Sequence, residues 1–141
     1  MARIPTHQTV RFRVDLSSIC SIGPGKIELL ETIARTGSLS QSARVLGLSY
    51  RRAWLLLDDL NHSFTGPVAT SSVGGHRRGG MTLTSIGKDI IRCYRSAARQ
   101  IEAVVGSHLG AIAAKAVKRI SREPAASRRR LPKRLLAAAR G

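Results

Sequence analysis

The amino-acid sequence predicts a mainly α fold with one small β-hairpin. Apolar residues recur at helical spacing in successive segments, and serine or glycine residues stand where such segments would begin and end. Two short β-prone runs, at residues 67–73 and 81–84, flank a Gly-rich basic loop. The chain has 141 residues, so we expect one compact domain followed by a tail.

The first predicted element is a strand. Residues 9–16, TVRFRVDL, alternate apolar and polar side chains, which is typical of a strand with one buried face. Residues 1–8 before it are expected to form a flexible N-terminus. After the breaker Gly23-Pro24-Gly25 a first helix is predicted, and Gly37 marks its end.

A second and a third helix are predicted close together. Ser38 or Ser40 can cap the second, which runs through Leu46, and Ser49 can cap the third, which runs to about residue 61 or 63. The short connection between them is typical of a helix-turn-helix.

The spacing of two small residues supports this motif. Ala43 lies where two helices would cross closely, and Gly47 can adopt the positive φ that a sharp turn requires. A plain helical hairpin would share both features. The basic hairpin loop that follows favours the helix-turn-helix interpretation.

The first turn of the third helix is the part that enters the major groove of DNA in this motif. It holds Tyr50, Arg51 and Arg52, of which the two arginines are the candidates for contacts with base edges. An arginine that donates two parallel hydrogen bonds to guanine discriminates a base by about 1–3 kcal/mol. An apolar stripe of this helix, which includes Tyr50 and Trp54, is predicted to face the core. Trp54 is therefore interpreted as a packing residue rather than as a platform on which a base stacks. The residues of this stripe are Tyr50, Ala53, Trp54, Leu57 and Leu60.

The predicted hairpin resembles the wing of a winged helix. His76, Arg77 and Arg78 lie in its loop, GGHRRGG, where they could contact phosphates or the adjacent minor groove. The alternative is a basic turn that is merely solvated. We expect a mainly α winged helix-turn-helix with a small β-hairpin wing and a long C-terminal helix.

That long helix is predicted to follow the wing, capped by Thr84 or Ser85. Gly106 and Gly110 interrupt its pattern, either as a helix break or as a spacing that lets two helices approach closely. Its apolar stripe comprises Ile86, Ile90, Tyr94, Ala97, Ala98, Ile101 and Val105. We place the winged domain at residues 9–110 and a basic tail, disordered or partly helical, at 111–141.

The charge of the chain indicates a polyanionic partner. It has 24 Lys and Arg against eight Asp and Glu, a formal net charge of +16. Charge alone leaves double-stranded DNA, RNA and an anionic membrane surface open. Residues 115–141 hold ten of the basic residues and one acidic residue, so an architectural DNA-binding protein dominated by its tail is the alternative to a sequence-specific regulator.

Residues 23 to about 101 resemble a known family. The run TGSLSQSARVLGLSYRRAW and the LTSIG that closes the wing are similar to the N-terminal DNA-binding domain of ModE-type molybdate-responsive regulators and, more distantly, to LysR-type winged helices. The resemblance implies a transcriptional regulator that forms a homodimer through its long helix and binds an inverted-repeat operator. The expected DNA-binding residues are Ser38, Ser40, Gln41, Ser49, Tyr50, Arg51, Arg52, His76, Arg77 and Arg78.

Several other functions are not expected. ModE-type proteins carry oxyanion-binding domains, whereas no strand pattern or anion-binding motif follows Gly110, so no molybdate site is evident in this chain. Four dispersed histidines and two distant cysteines predict neither a metal site nor a disulfide, and no acid–base pair or nucleophile suggests an enzyme or a cofactor. Without a predicted membrane segment, we expect a cytoplasmic, nucleoid-associated protein.

Overall fold

A computed structural model describes residues 9–72 and 80–120 of the chain, with side chains as far as residue 115. The described residues form four helices and two two-stranded antiparallel sheets. The elements are β1 (Val14–Asp15), β2 (Ser21–Ile22), α1 (Pro24–Thr36), α2 (Leu39–Leu46), α3 (Tyr50–Ser63), β3 (Ala69–Ser72), β4 (Gly80–Leu83) and α4 (Ser85–Ile120). The predicted winged helix with a long C-terminal helix is confirmed.

The chain divides into two compact units. Thr9–Val104 form one unit, and Val105–Ile120 are the described part of the other, where they are helical. The predicted N-terminal segment 1–8 and most of the predicted tail, 121–141, lie outside the described residues.

Helix α1 forms the centre of the core. Pro24 occupies its first turn, where no intrahelical donor is required, and Gly37 ends it with φ +65°. Four of its side chains are completely buried, and the surrounding elements contribute mostly aliphatic residues. The fully buried residues of α1 are Ile27, Leu29, Leu30 and Ile33.

The hairpin of β3 and β4 is the predicted wing. Its register pairs Ala69 with Leu83 and Ser72 with Gly80. The backbone N–H of Met81 donates to the carbonyl oxygen of Gly37 at 2.8 Å, so β4 is attached where α2 begins. The tip of the wing, residues 73–79, lies outside the described residues.

The predicted strand over residues 9–16 was wrong in its extent. Only Val14–Asp15 pair, and their partner is the two-residue strand β2. The chain reverses just after β1, where the N–H of Leu16 donates to the carbonyl oxygen of Cys20 at 2.8 Å, and the described residues offer no partner strand for a longer ladder. Residues such as Phe12 are half-buried because they pack on α4, without strand pairing.

Of the two alternatives for Gly106 and Gly110, the helix break is wrong, because α4 is helical from Ser85 to Ile120, while the close approach of two helices stays a prediction. A helical glycine costs about 1 kcal/mol relative to alanine but keeps its backbone N–H, so Gly106 and Gly110 weaken the helix without breaking it. Of the two predicted caps, the structure selects Thr84, whose hydroxyl accepts from the N–H of Gly87 at 3.2 Å.

Candidate nucleic-acid interface

Helix α2 begins at a serine cap. The hydroxyl of Ser38 accepts a hydrogen bond from the N–H of Gln41 at 3.2 Å, so Ser38, and not Ser40, is the cap. Ser38 is half-buried, whereas Ser40 and Gln41 are exposed. Three of the predicted interface residues therefore share the first turn of α2, and two of them face solvent.

The turn between α2 and α3 has the predicted geometry. Gly47 has φ +65°, a conformation that strains any residue with a Cβ. Its N–H donates to Arg44, and the N–H of Leu48 donates to Ala43 at 2.8 Å, which is the hydrogen-bond pattern of a Schellman motif. Ala43 is 2% exposed, so its small side chain permits the close helix contact.

Helix α3 presents a basic first turn to solvent. The hydroxyl of Ser49 accepts from the N–H of Arg52 at 3.1 Å and caps the helix as predicted. Ser49, Tyr50, Arg51 and Arg52 are all exposed. Four predicted interface residues thus lie within one turn at the beginning of α3.

The prediction that Tyr50 and Trp54 face the core was wrong. Tyr50 is 58% exposed and Trp54 is 47% exposed, whereas Ala53, Leu57 and Leu60 are buried. Each residue advances a helix by about 100°, so the buried three lie within a narrow sector and Trp54 falls well outside it. The predicted apolar stripe was wider than the buried face, because it included the two aromatic residues at its edge.

Charge is unevenly distributed along α3. The first turn carries Arg51 and Arg52, while the carboxylates of Asp58 and Asp59 lie in the second half. Asp59 forms an ion pair with Lys26, and Asp58 lies 3.3 Å from the imidazole of His62. The N-terminal half of α3 is therefore the half suited to an anionic partner, in keeping with the positive end of the helix dipole.

Two polar contacts that the sequence analysis missed position these elements. The side-chain oxygen of Asn61, near the end of α3, accepts from the N–H of Val68 at 2.8 Å and of Ala69 at 3.4 Å, where the wing begins. The hydroxyl oxygens of Thr36 and Ser42 lie 2.9 Å apart and join α1 to α2. Ser42 is fully buried. Since each contact joins residues of different elements, helical or strand periodicity carries no signal for it.

An ion pair joins α4 to α1. The guanidinium of Arg95 donates two hydrogen bonds to the carboxylate of Glu31, at 2.6 and 2.7 Å. These hydrogen bonds raise the pKa of Arg95 above its ordinary value, although burial of the guanidinium acts in the opposite direction. A bidentate ion pair thus joins α4 to α1, the central helix of the core.

The remaining predicted interface residues, His76, Arg77 and Arg78, lie outside the described residues. In the described part of the chain, no group of three or more His, Cys, Asp or Glu side chains is placed to hold a metal ion. Among those same residues, no helix combines the length and the apolarity needed to cross a membrane.

Comparison with known proteins identifies relatives. The chain is 34% identical over 91 residues to the molybdenum transport protein ModE of Azotobacter vinelandii, a match that covers 64% of this chain and 34% of the relative. It is 41% identical over 73 residues to the molybdenum-pterin-binding protein MopB of Rhodobacter capsulatus, covering 52% and 27% of the two chains. It is 37% identical over 71 residues to the DNA-binding transcriptional dual regulator ModE of Escherichia coli K12, covering 50% and 27%. This chain is a homologue of ModE-type proteins.

The match to ModE-type proteins is partial on both sides. The matched stretches span about a third or less of the length of these relatives. No family model matches the chain. The resemblance seen in the residues around the helix-turn-helix and the wing is nevertheless confirmed.

Proposed function

We propose that this chain is a sequence-specific DNA-binding transcriptional regulator. Helix α3, from its cap at Ser49, enters the major groove, and the loop of the wing contacts the DNA backbone or the minor groove. The single observation that carries the proposal is the exposed basic first turn of α3, mounted on a capped helix-turn-helix. The name of the Escherichia coli relative, a DNA-binding transcriptional dual regulator, supports it.

Base contacts are assigned to α3 and backbone contacts to the surrounding residues. Arg51 and Arg52 are the candidates for guanine, with Tyr50 beside them. Ser38, Ser40 and Gln41 at the start of α2 are suited to phosphate oxygens, as are His76, Arg77 and Arg78 in the wing. Such a function is one of binding, without a chemical step, and it places the protein with the cytoplasmic nucleoid.

We further propose a homodimer. An apolar groove of about 400 Å³ lies between residues 12–22 and the first turns of α4. It leaves Val14 and Leu16 exposed beside half-buried Ile86, a surface that a second copy would cover. Two copies related by a twofold axis would bind half-sites about one helical turn of DNA apart.

In vitro selection from a random DNA library, followed by binding titrations, tests whether the protein binds DNA sequence-specifically. We expect a palindromic sequence, and we expect Arg51→Ala to reduce the preference for it over random DNA by about tenfold or more. Arg78→Ala should weaken binding to both DNAs equally. Arg13→Ala removes the same charge from a residue paired with Asp15 and serves as the control. An equal loss on both DNAs for Arg51→Ala would contradict the assignment.

The second candidate function is an architectural DNA-binding protein dominated by the tail. The observation that favours it is charge: residues 115–141 hold ten of the 24 Lys and Arg but one of the eight Asp and Glu. Replacing Arg128, Arg129, Arg130, Lys133 and Arg134 by glutamine in the full chain tests it. Each lost phosphate contact flattens the plot of log K against log salt by roughly 0.9. If selected DNA is bound with unchanged preference and affinity, the tail does not dominate.

A further inference from the structure

We infer that Trp54, together with Leu55, contacts thymine methyl groups in the major groove and contributes to the choice of DNA sequence. The inference rests on the proposed function, because it requires that α3 is the recognition helix. It adds an apolar contact to the hydrogen bonds proposed for the arginines. The observation behind it is the exposure of large apolar side chains on the solvent face of that helix.

The first step concerns position on the helix. The buried side of α3 is set by Ala53, Leu57 and Leu60. At about 100° per residue, Leu55 lies nearly opposite this side, and Trp54 lies between the two. Arg51 precedes Leu55 by four residues, so their side chains are neighbours on one face. The face that presents Arg51 to the groove therefore presents Leu55 beside it and Trp54 at its edge.

The second step concerns exposure. Trp54 is 47% exposed and Leu55 is 43% exposed, although both are among the most readily buried types of side chain. Neighbouring exposed apolar side chains, unlike a single one, mark a site for a partner, and these two residues are consecutive. Both belong to the first two turns of α3, the part of a recognition helix that lies deepest in the groove.

The third step selects DNA as the partner. The same two turns carry the exposed cations Arg51 and Arg52, while the acidic residues Asp58 and Asp59 follow later in the helix. A partner must therefore offer negative charge and apolar groups together. The major groove does so, since phosphates border it and each thymine projects a methyl group into it. The same turn of a second copy carries the same two exposed arginines and would repel this one.

The test removes the methyl groups and nothing else. A duplex recovered by in vitro selection with the full chain is prepared in two forms, one with thymine and one with deoxyuridine at every thymine position. For the unmodified protein we expect deoxyuridine to weaken binding about threefold to fivefold for each methyl group contacted. For Trp54→Ala and Leu55→Ala the thymine duplex should bind more weakly, and the difference between the two duplexes should shrink.

Matched measurements keep the outcomes distinct. Val45→Ala removes an exposed apolar side chain from α2 and should leave the sensitivity to deoxyuridine unchanged. Trp54→Phe should retain part of that sensitivity. Trp54 is the only tryptophan of the chain, so the tryptophan fluorescence reports directly on this residue. Binding of the thymine duplex should protect that fluorescence from quenching by acrylamide. Thermal unfolding of each variant verifies that the fold is kept.

Three results would overturn the inference. One is equal binding of both duplexes by the unmodified protein. Another is undiminished sensitivity to deoxyuridine in folded Trp54→Ala and Leu55→Ala. The third is a change in oligomeric state on replacing Trp54 with sensitivity unchanged, which would assign this surface to a protein partner. If Arg51→Ala still reduces sequence preference in these cases, the proposed function stands and only this inference fails.

Discussion

The ring of Phe12 lies parallel to the ring of Tyr94, with centroids 4.4 Å apart, and the hydroxyl of Tyr94 donates a 2.7 Å hydrogen bond to the carbonyl oxygen of Phe12. The two residues are 82 positions apart, and Tyr94 is buried. One side chain thus holds the chain around Phe12 on α4 by two different interactions. This contact forms one wall of the apolar groove for which we propose a dimer contact.

The two interactions can be separated by substitution. Tyr94→Phe keeps the stacked ring and removes the hydroxyl, so we expect the free energy of unfolding to fall by about 0.5–1.5 kcal/mol. Phe12→Ala removes the stacking, and because Phe12 is half-buried we expect about 2 kcal/mol, roughly half the usual cost of a fully buried phenylalanine. Denaturant unfolding measures both. A larger loss for Tyr94→Phe than for Phe12→Ala would contradict the account.

Stability should be sensitive to the loss of the acceptor oxygen of Asn61 and much less sensitive to a negative charge introduced there. Asn61→Leu leaves the N–H groups of Val68 and Ala69 without this partner, and we expect a loss of about 1–3 kcal/mol in unfolding free energy. Asn61→Asp keeps an oxygen acceptor and should cost much less. Equal losses in chemical denaturation would show that the side chain acts by packing alone.

Gly87 is the glycine in the described part of the chain where an added Cβ would come closest to backbone atoms. A Cβ there would lie 2.2 Å from the carbonyl oxygen of Val68, which belongs to the backbone and cannot turn aside. We expect Gly87→Ala to destabilise the fold by about 1–3 kcal/mol or more, because α4 must shift. Gly25→Ala meets nothing within 4 Å and should be neutral or stabilising by up to about 1 kcal/mol, which makes it the matched control in thermal unfolding.

Because Ser49 caps α3 and Ser40 caps no helix, their replacement by alanine should affect stability differently. Ser49→Ala removes the acceptor for the N–H of Arg52, and we expect a loss of about 0.5–2 kcal/mol. Ser40→Ala, within α2 and exposed, should change stability by no more than about 0.5 kcal/mol. Urea titrations of the two variants provide the comparison, and equal effects would remove the argument that Ser49 defines the start of the helix.

The ion pair of Arg95 and Glu31 should contribute modestly to the free energy of unfolding. Arg95 should stay charged throughout the ordinary pH range. Because the pKa of Arg95 is raised in the folded protein, its contribution to stability is complete below the pKa of arginine in the unfolded chain and is lost only as pH rises through the still higher folded value. Because the Arg95 side chain is 44% exposed, we expect Glu31→Gln to cost no more than about 1 kcal/mol. Added salt should reduce that difference, whereas a difference insensitive to salt would exclude an electrostatic origin.

Local signals in the sequence predicted much of this structure. Ser38 and Ser49 cap helices, and Gly47 and Ala43 form the turn as expected, because each acts on residues within about five positions. The extent of the first strand depended on its partner β2, which supplies only two residues, so alternation alone overstated it. Trp54 was misplaced because side chains at the edge of an apolar stripe differ from core residues by a fraction of a turn.

The contacts that set the relative placement of the elements could not be predicted in this way. Asn61 reaches the start of the wing, and Thr36 meets Ser42, only after the helices have packed. The continuity of α4 through Gly106 and Gly110 depends on the balance of propensity along a whole helix. The assignment of His76, Arg77 and Arg78 to the wing loop stays a prediction.

Asn61 has a consequence for how far apart DNA contacts can lie. It joins the end of α3 to the beginning of the wing, so a tilt of the recognition helix would move the hairpin in the same direction. On the proposed function, this amide side chain then helps to set the separation between the contact in the groove and the contact on the adjacent backbone. Replacing Asn61 would change the distance along the DNA between the base contacts of α3 and the backbone contacts of the wing, while the preferred bases would stay the same.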